Sequence, residues 1–229
     1  MEEQFNRLVN YRNDRSNLPP GTISIVEHLN TLKELSSLCE FVAEIGVEGV
    51  VSTVALAQGQ ILNNSSKKKI WGYDIVDLSK QERWYLLESL CKEENIELDF
   101  KLGNSIEAEL PYDNMDMIFI DGWHVYGQVK RELEYFSPKV NKFICFHDTT
   151  VDGEYGETIR LGWDAVEQSN KTGIPVHEIN RGIWPAITEF LESNKDWILY
   201  KRYVNNNGFT ILVKNDKDII DSLSKIKLP

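Results

Sequence analysis

The strongest constraint on this chain is an alternation. Between residues 41 and 148, short apolar runs take turns with segments of helical period. "FVAEI" (41–45), "KIWGYDIV" (69–76), "IELDFKLGNS" (96–105), "MDMIFIDG" (115–122) and "KFICFHD" (142–148) read as strands. "VVSTVALAQG" (50–59), "KQERWYLLESLCKEEN" (80–95) and "HVYGQVKRELEYF" (124–136) read as helices, the last with Val125, Val129, Leu133 and Phe136 on one face. Gly59 reads as the C-cap of the first. A helix ahead of them carries Ile25, Leu29, Leu32, Leu35 and Leu38 at helical spacing. Strands that alternate with helices build a parallel sheet covered on both faces. "DWILYKRYV" and "GFTILVKN", joined by Asn205-Asn206-Asn207-Gly208, add a terminal antiparallel hairpin. The expected fold is α/β, Rossmann-like, with a mostly parallel doubly wound sheet.

In such sheets ligands bind at the carboxyl ends of the strands, near the switch in strand order. The first strand ends at Glu44-Ile45-Gly46, followed by Val47, Glu48, Gly49 and then Ser52. Glycines at 46 and 49 permit a tight turn and close approach of a ligand, and equally suit an ordinary turn. A dinucleotide site needs G-x-G-x-x-G, and Glu48 puts negative charge where a pyrophosphate belongs, which argues against an NAD-dependent oxidoreductase. An acid at 44 suits a cation. S-adenosylmethionine fits these conditions, because it carries a sulfonium and no phosphate. Asp74, at the end of the second strand, then accepts from ribose hydroxyls, and Asn104-Ser105, after the third, meets the adenine.

Composition narrows the partners. The net charge of -11 repels nucleic acid, and the short run Lys67-Lys68-Lys69 reads as a solvated strand edge. Cys39, Cys91 and Cys145 have no metal or disulfide spacing and read as buried thiols of a reducing, cytoplasmic compartment. No run is long enough to span a bilayer, and "MEEQFNRLVN" lacks the basic start of a signal peptide. Assembly into a homo-oligomer or within a larger glycan-assembly polypeptide stays open.

The series "EHLNTL…CEFVAEIGVEGVVST…GYDIVD…GNS…MIFIDGWHVYGQVKREL…FICFHDTT" resembles class I methyltransferases of the methyltransferase 24 type. That group is close to the metal-dependent sugar O-methyltransferases of macrolide biosynthesis and to rhamnosyl O-methyltransferases. The match covers residues 23–150 and, loosely, the hairpin; it departs in lacking the middle glycine of the turn. The resemblance implies a class I methyltransferase fold in one domain: an N-terminal extension (1–22), a cofactor-binding core (23–150), a substrate lid (151–190), and a hairpin with tail (191–229). It implies S-adenosylmethionine as cofactor, held by Glu44, Gly46, Gly49, Ser52, Asp74, Asn104, Ser105 and Asp121. The acceptor is expected to be a hydroxyl of a sugar or glycan, with a catechol-type small molecule as the rival. A non-catalytic binding module is a third reading, disfavoured by the joint presence of Asp74, Asp121, His124 and Asp148.

"FIDGWH" and "FHDTT" end the fourth and fifth strands, which a parallel sheet makes neighbours. Two like charges brought together call for a cation between them, such as Mg²⁺ or Mn²⁺. The resemblance implies that Asp121, position 147 and Asp148 hold it; position 147 is usually an acid in the metal-dependent relatives and His147 here, a donor better suited to Zn, Mn or Fe than to Mg. The alternative is that Asp121 and Asp148 cap the segments that follow them. An alcohol must lose its proton as it attacks the methyl group, and a histidine can take it. The resemblance gives that role to His124, the histidine of D-x-x-H, beside Asp121. His28 and His177 match no such motif and read as structural. Trp123, Trp163 and Trp184 are ordinary core or rim candidates whose faces also suit a sugar, Trp123 being best placed to line the site. Glu154, Tyr155, Arg160 and Arg181 mark the lid.

Overall fold

The computed structural model describes residues 8, 25–78, 80–107 and 114–228. Apart from Leu8, the expected N-terminal extension lies outside the described residues, as do Ile23 and Ser24 at the start of the first helical run. The five central strands form where the apolar runs place them: β1 (Phe41–Ile45), β2 (Lys69–Asp74), β3 (Glu97–Leu102), β4 (Met115–Ile120) and β5 (Val140–His147). The hairpin adds β6 (Trp197–Tyr203) and β7 (Phe209–Lys214). The sheet order is β3-β2-β1-β4-β5-β7-β6, with β7 antiparallel to both β5 and β6 and every other pairing parallel.

Helices cover both faces. On one lie α1 (Leu29–Ser36), α2 (Val51–Leu62) and α3 (Glu82–Glu93), packed on Val42, Met117, Phe119, Phe143 and Cys145. On the other lie α4 (Tyr126–Phe136) and a helix over Ile183–Ser193, packed on Ala43, Ile45, Ile118, Ile144 and Phe146. The alternation of strand side chains between these two cores is the two-residue period of a pleated sheet buried on both sides. Short helices α5 (Gly156–Leu161), α6 (Ala165–Thr172) and α7 (Val176–Ile179) follow β5; the Ile183–Ser193 helix is α8, and α9 (Lys217–Ser222) follows the hairpin.

Three local expectations are corrected. Gly59 does not cap a helix: α2 runs on to Leu62, and a Cβ at Gly59 would stand 2.3 Å from the Lys33 carbonyl oxygen, so glycine here permits close packing of α1 on α2. Lys69 is not a solvated edge; it is buried and ion-paired to Glu97 at 2.5 Å and Asp99 at 3.0 Å on β3. The stretch 151–190 divides, because Ile183, Ala186, Ile187 and Phe190 of α8 are core residues.

The hairpin turn does more than reverse the chain. Asn206, Asn207 and Gly208 all adopt positive φ, as a tight turn of this kind requires. Its carbonyls then reach back: Asn207 accepts from the amides of Thr150 (2.8 Å) and Val151 (3.0 Å), and Asn205 lies 3.0 Å from His28 Nε2. The three cysteines are free and buried, and among the described residues no helix is long and apolar enough to cross a membrane.

Candidate active site

Strand order reverses between β1 and β4, and the register there builds a row of functional side chains. Tyr73, Ile45, Ile120 and Phe146 pair successively across β2, β1, β4 and β5. The next residue of each strand is therefore Asp74, Gly46, Asp121 and His147, side by side along the carboxyl edge of the sheet. This is the crevice in which open α/β sheets bind ligands. A cleft of about 1060 Å³ opens over the row and is lined by Gly46, Glu48, Gly49, Ser52, Asp74, Asn104, Ser105, Asp121, His124, His147 and Asp148, among others. Its size exceeds that of a usual single-ligand pocket, so two small molecules can share it.

At the β1–β2 end of the cleft the turn is built tightly. Gly46 holds φ +86°, and a Cβ there would lie 2.0 Å from the Asp121 carbonyl oxygen, so this position admits glycine alone. Asp74 is buried, and its Oδ2 accepts the amides of Val47 (2.6 Å) and Glu48 (2.7 Å) while Oδ1 accepts that of Val76 (2.8 Å). Three of about four lone-pair directions are thus used, leaving one for a ligand. The α2 N-cap is Val50, in the left-handed conformation at φ 57°. For a β-branched residue this is a strained position.

Glu44 stands apart from its expected place. It is fully buried and does not line the cleft. Burial pushes its carboxyl up to about 8 against the opposing effect of Ser52 and Thr53, whose hydroxyls face it without aligned hydrogen bonds. At neutral pH it is a neutral acid beneath the start of α2. Ser105 is likewise only partly as expected: it lines the cleft, but its hydroxyl donates to Glu132 Oε1 at 2.5 Å. Gln128 completes that buried knot, donating to Ser105 Oγ (2.8 Å) and to Glu132 Oε1 (2.9 Å). Burial raises the Glu132 carboxyl to about 7.

At the other end the acids and imidazoles converge. His124 Nε2 is 3.2 Å from Asp121 Oδ1; its Nδ1 is 3.1 Å from Asp148 Oδ2, 3.3 Å from Asp152 Oδ2 and 3.8 Å from Glu157 Oε2. These contacts are close but off the angles of good hydrogen bonds, so they act as charge pairs. Burial opposes a charge on His124, and Asp121, Asp148 and Asp152 outweigh it, raising its pKa well above 6.5. Burial also opposes ionisation of Asp121, yet His147 and His124 hold its carboxyl below the usual carboxylate range. His147 Nδ1 lies 3.1 Å from Asp121 Oδ1 and 3.3 Å from Asp148 Oδ1, and its Nε2 faces the Asn206 carbonyl at 3.3 Å. Its pKa too is raised, burial being overcome by Asp121.

Among the described residues, the donors able to share one ion are Asp121, His124 and Asp148. His147 is outside that set, its Nδ1 turned to Asp121 and its Nε2 to the Asn206 carbonyl. The capping alternative does not hold: α4 is capped at Val125 and α5 at Tyr155, neither by an acidic side chain. Sequence reasoning did not pick out Asp152, in the loop after β5, or Glu157, at the start of α5, which converge on His124, nor Gln128 and Glu132. Trp123 lines the cleft as expected, its indole donating to Thr158 Oγ1 at 3.2 Å, and Trp163 lies half-exposed at the same cleft. Trp184 instead stacks under Arg202 at 3.5 Å and is not a lining residue. His28 stacks on Phe209 at 5.1 Å, in keeping with a structural part.

No family model matches the chain, and no curated protein matches it in sequence. Solved structures match its fold. A Klebsiella pneumoniae protein assigned as an O-methyltransferase superposes with a TM-score of 0.60 at 17% identity, over 93% of this chain and 90% of that one. TomG of Streptomyces achromogenes, an O-methyltransferase involved in tomaymycin synthesis and solved with S-adenosylmethionine, gives 0.54 at 16%, over 93% and 90%. The Bacillus cereus O-methyltransferase in complex with S-adenosylhomocysteine gives 0.53 at 17%, over 93% and 91%. The seven-stranded sheet with its antiparallel β7 is thus the class I methyltransferase fold.

Proposed function

We propose that this chain is an S-adenosylmethionine-dependent O-methyltransferase acting on a hydroxyl of a small molecule. The observation that carries the reading is the single row of Asp74, Gly46, Asp121 and His147 beneath one cleft, with His124 and Asp148 over its far end. The fold likeness supports it, because TomG and the Bacillus cereus enzyme hold this donor or its product.

The residues present fit the donor. The Gly46 turn leaves its backbone open to the cleft, Asp74 keeps a free acceptor direction, and Glu48 on the lining disfavours a pyrophosphate. Around His124 there are four carboxylates, of Asp121, Asp148, Asp152 and Glu157, against two imidazoles and the Arg160 guanidinium. This surplus of negative charge suits a sulfonium. The residues also fit a divalent ion: Asp148 Oδ1 is buried without an aligned partner, and two carboxylates with one imidazole suit Mn²⁺ better than Mg²⁺. Such an ion would be held by Asp121, His124 and Asp148 and would make a bound hydroxyl more acidic, in place of proton acceptance by His124, whose ring would then be a ligand.

Methyl transfer then needs alignment and one proton acceptor. The acceptor oxygen attacks the methyl carbon, the carbon–sulfur bond breaks, and the sulfonium leaves as a neutral thioether. In the ion-free site the arriving cationic donor offsets the carboxylates that hold the His124 ring protonated, the ring releases that proton to solvent, and it then receives the hydroxyl proton. Alignment in the cleft supplies much of the rate.

The acceptor we favour is a phenolic diol. A phenol loses its proton far more readily than an alcohol, and Trp163 offers a flat apolar wall at the cleft. One of the fold relatives, from Staphylococcus aureus, is described as a caffeoyl-CoA O-methyltransferase. A sugar hydroxyl is the second reading, favoured by the Asp121-x-x-His124 arrangement. Calorimetry and radiolabel transfer test both. S-adenosylhomocysteine should bind while NAD does not, and 3,4-dihydroxybenzoate should be methylated in preference to a rhamnoside. Binding of NAD alone would overturn the reading, and exclusive methylation of the rhamnoside would replace the acceptor.

A further inference from the structure

We infer that Asp152 is a positioning residue for His124, locked in place by Arg160. This rests on the reading that His124 serves the acceptor hydroxyl. Asp152 is fully buried, four residues beyond Asp148. Arg160 grips both of its oxygens, Nε to Oδ1 at 2.6 Å and Nη2 to Oδ2 at 2.8 Å. A paired, two-point guanidinium contact fixes a carboxylate in direction as well as in place. The Asp152 backbone is tied as firmly: its amide donates to the Asp148 carbonyl and its carbonyl accepts from Ile183, each at 3.0 Å. A Cβ on Gly182 would lie 2.4 Å from that same carbonyl, so the crossing of the two loops leaves no room to shift.

Asp152 Oδ2 faces His124 Nδ1 at 3.3 Å. Asp148 is slightly nearer, at 3.1 Å, but it has different commitments. It lines the cleft, one of its oxygens has no aligned partner, and its backbone sits at φ 55°. Donor, acceptor or ion will therefore engage Asp148 first. Asp152 does not line the cleft and has no such rival. When Asp148 turns to a ligand, a small turn of the ring brings Nδ1, now off the hydrogen-bond angle, into line with the fixed Asp152 and leaves Nε2 aimed at the reacting hydroxyl. A carboxylate behind a working imidazole sets its tautomer and ring direction in this way.

The test uses the whole chain with ¹⁵N-labelled histidine. Four histidines give a readable ring spectrum, with His28 and His177 as internal controls. In Asp152→Asn the ring signals of His124 should move while those of His28 and His177 hold. Arg160→Met, at a partly exposed side chain, should move the same signals less, and serves should Asp152→Asn fail to fold. Asp152→Glu should return part of the wild-type pattern. Methylation of 3,4-dihydroxybenzoate should fall about 10- to 100-fold in kcat with KM for the donor unchanged. Unmoved His124 signals in a folded variant would overturn the inference, whatever happens to thermal stability. Calorimetry with S-adenosylhomocysteine on the wild type separates the two ideas: absence of binding would remove the methyltransferase reading, while the ring spectrum still decides the part of Asp152.

Discussion

Two residues show how the site trades local comfort for position. Val50 is held left-handed at the start of α2 although its side chain is almost fully buried. Burying a valine stabilises by about 1.5–3 kcal/mol, which exceeds the roughly 1–2 kcal/mol cost of that backbone conformation. The side chain therefore wins, and an unusual ranking follows. Val50→Ala should be less stable than Val50→Gly by about 1 kcal/mol, because alanine keeps the strain and loses the burial. Denaturant midpoints of the two variants check this, and the ordinary order, with alanine above glycine, would show that Val50 is unstrained. His124 is the second case. His124→Asn should retain affinity for S-adenosylhomocysteine and lose about 10²–10⁴-fold in turnover. Calorimetry beside a radiolabel assay measures both, and full turnover in the variant would take His124 out of the chemistry.

The elements were legible where period decides and obscure where packing decides. Apolar runs placed β1 to β5 and the facing residues of α4 because both sheet faces are buried and the pattern has nothing else to satisfy. The row of Asp74, Asp121 and His147 was within reach for the same reason: each ends an apolar strand or directly follows one. Asp152 and Glu157 left no such trace, since one lies in the loop after β5 and the other in the first turn of the short α5, both placed by Arg160 and Gly182 rather than by period. Glu44 misled because a carboxylate at a strand end looks available, whereas the α2 start covers it. Gly59 misled because helix ends and helix crossings both favour glycine. Its true use gives a prediction. Gly59→Ala drives a Cβ to within 2.3 Å of the Lys33 carbonyl oxygen, so α1 must move away. A loss of about 1–3 kcal/mol is expected. At the scale of this chain that lowers the melting temperature by several degrees, about 2–4 °C per kcal/mol. An unchanged melting temperature would mean that α1 gives way freely.

At the scale of the whole molecule, the buried ionisable groups set a common direction with pH. Burial raises Glu44 to about 8 and Glu132 to about 7, so the folded state keeps protons that an unfolded chain releases above its ordinary carboxylate range. Stability from these acids is lost as pH climbs from about 4.5 through those values. The raised pKa values of His124 and His147 act in the same sense: their contribution is complete below the unfolded value of 6.5 and fades as pH rises through the folded one. Asp121 runs the other way, its lowered pKa mattering only on acidification. The ligand-free chain should therefore resist urea better at about pH 6 than at about pH 8.5, and Glu44→Gln should flatten the difference. A chain more stable on the alkaline side would show that these acids are ionised in the fold.

The turn at 205–208 closes against His28, His147 and the backbone at 150–151, although it is made of residues far along the chain. During translation, every carboxylate and imidazole of the cleft leaves the ribosome before this brace does. The nascent protein thus carries its reactive groups for a time with no frame around them. Competence to bind a ligand is expected to arrive late, in one step, as the last hairpin clears the exit tunnel.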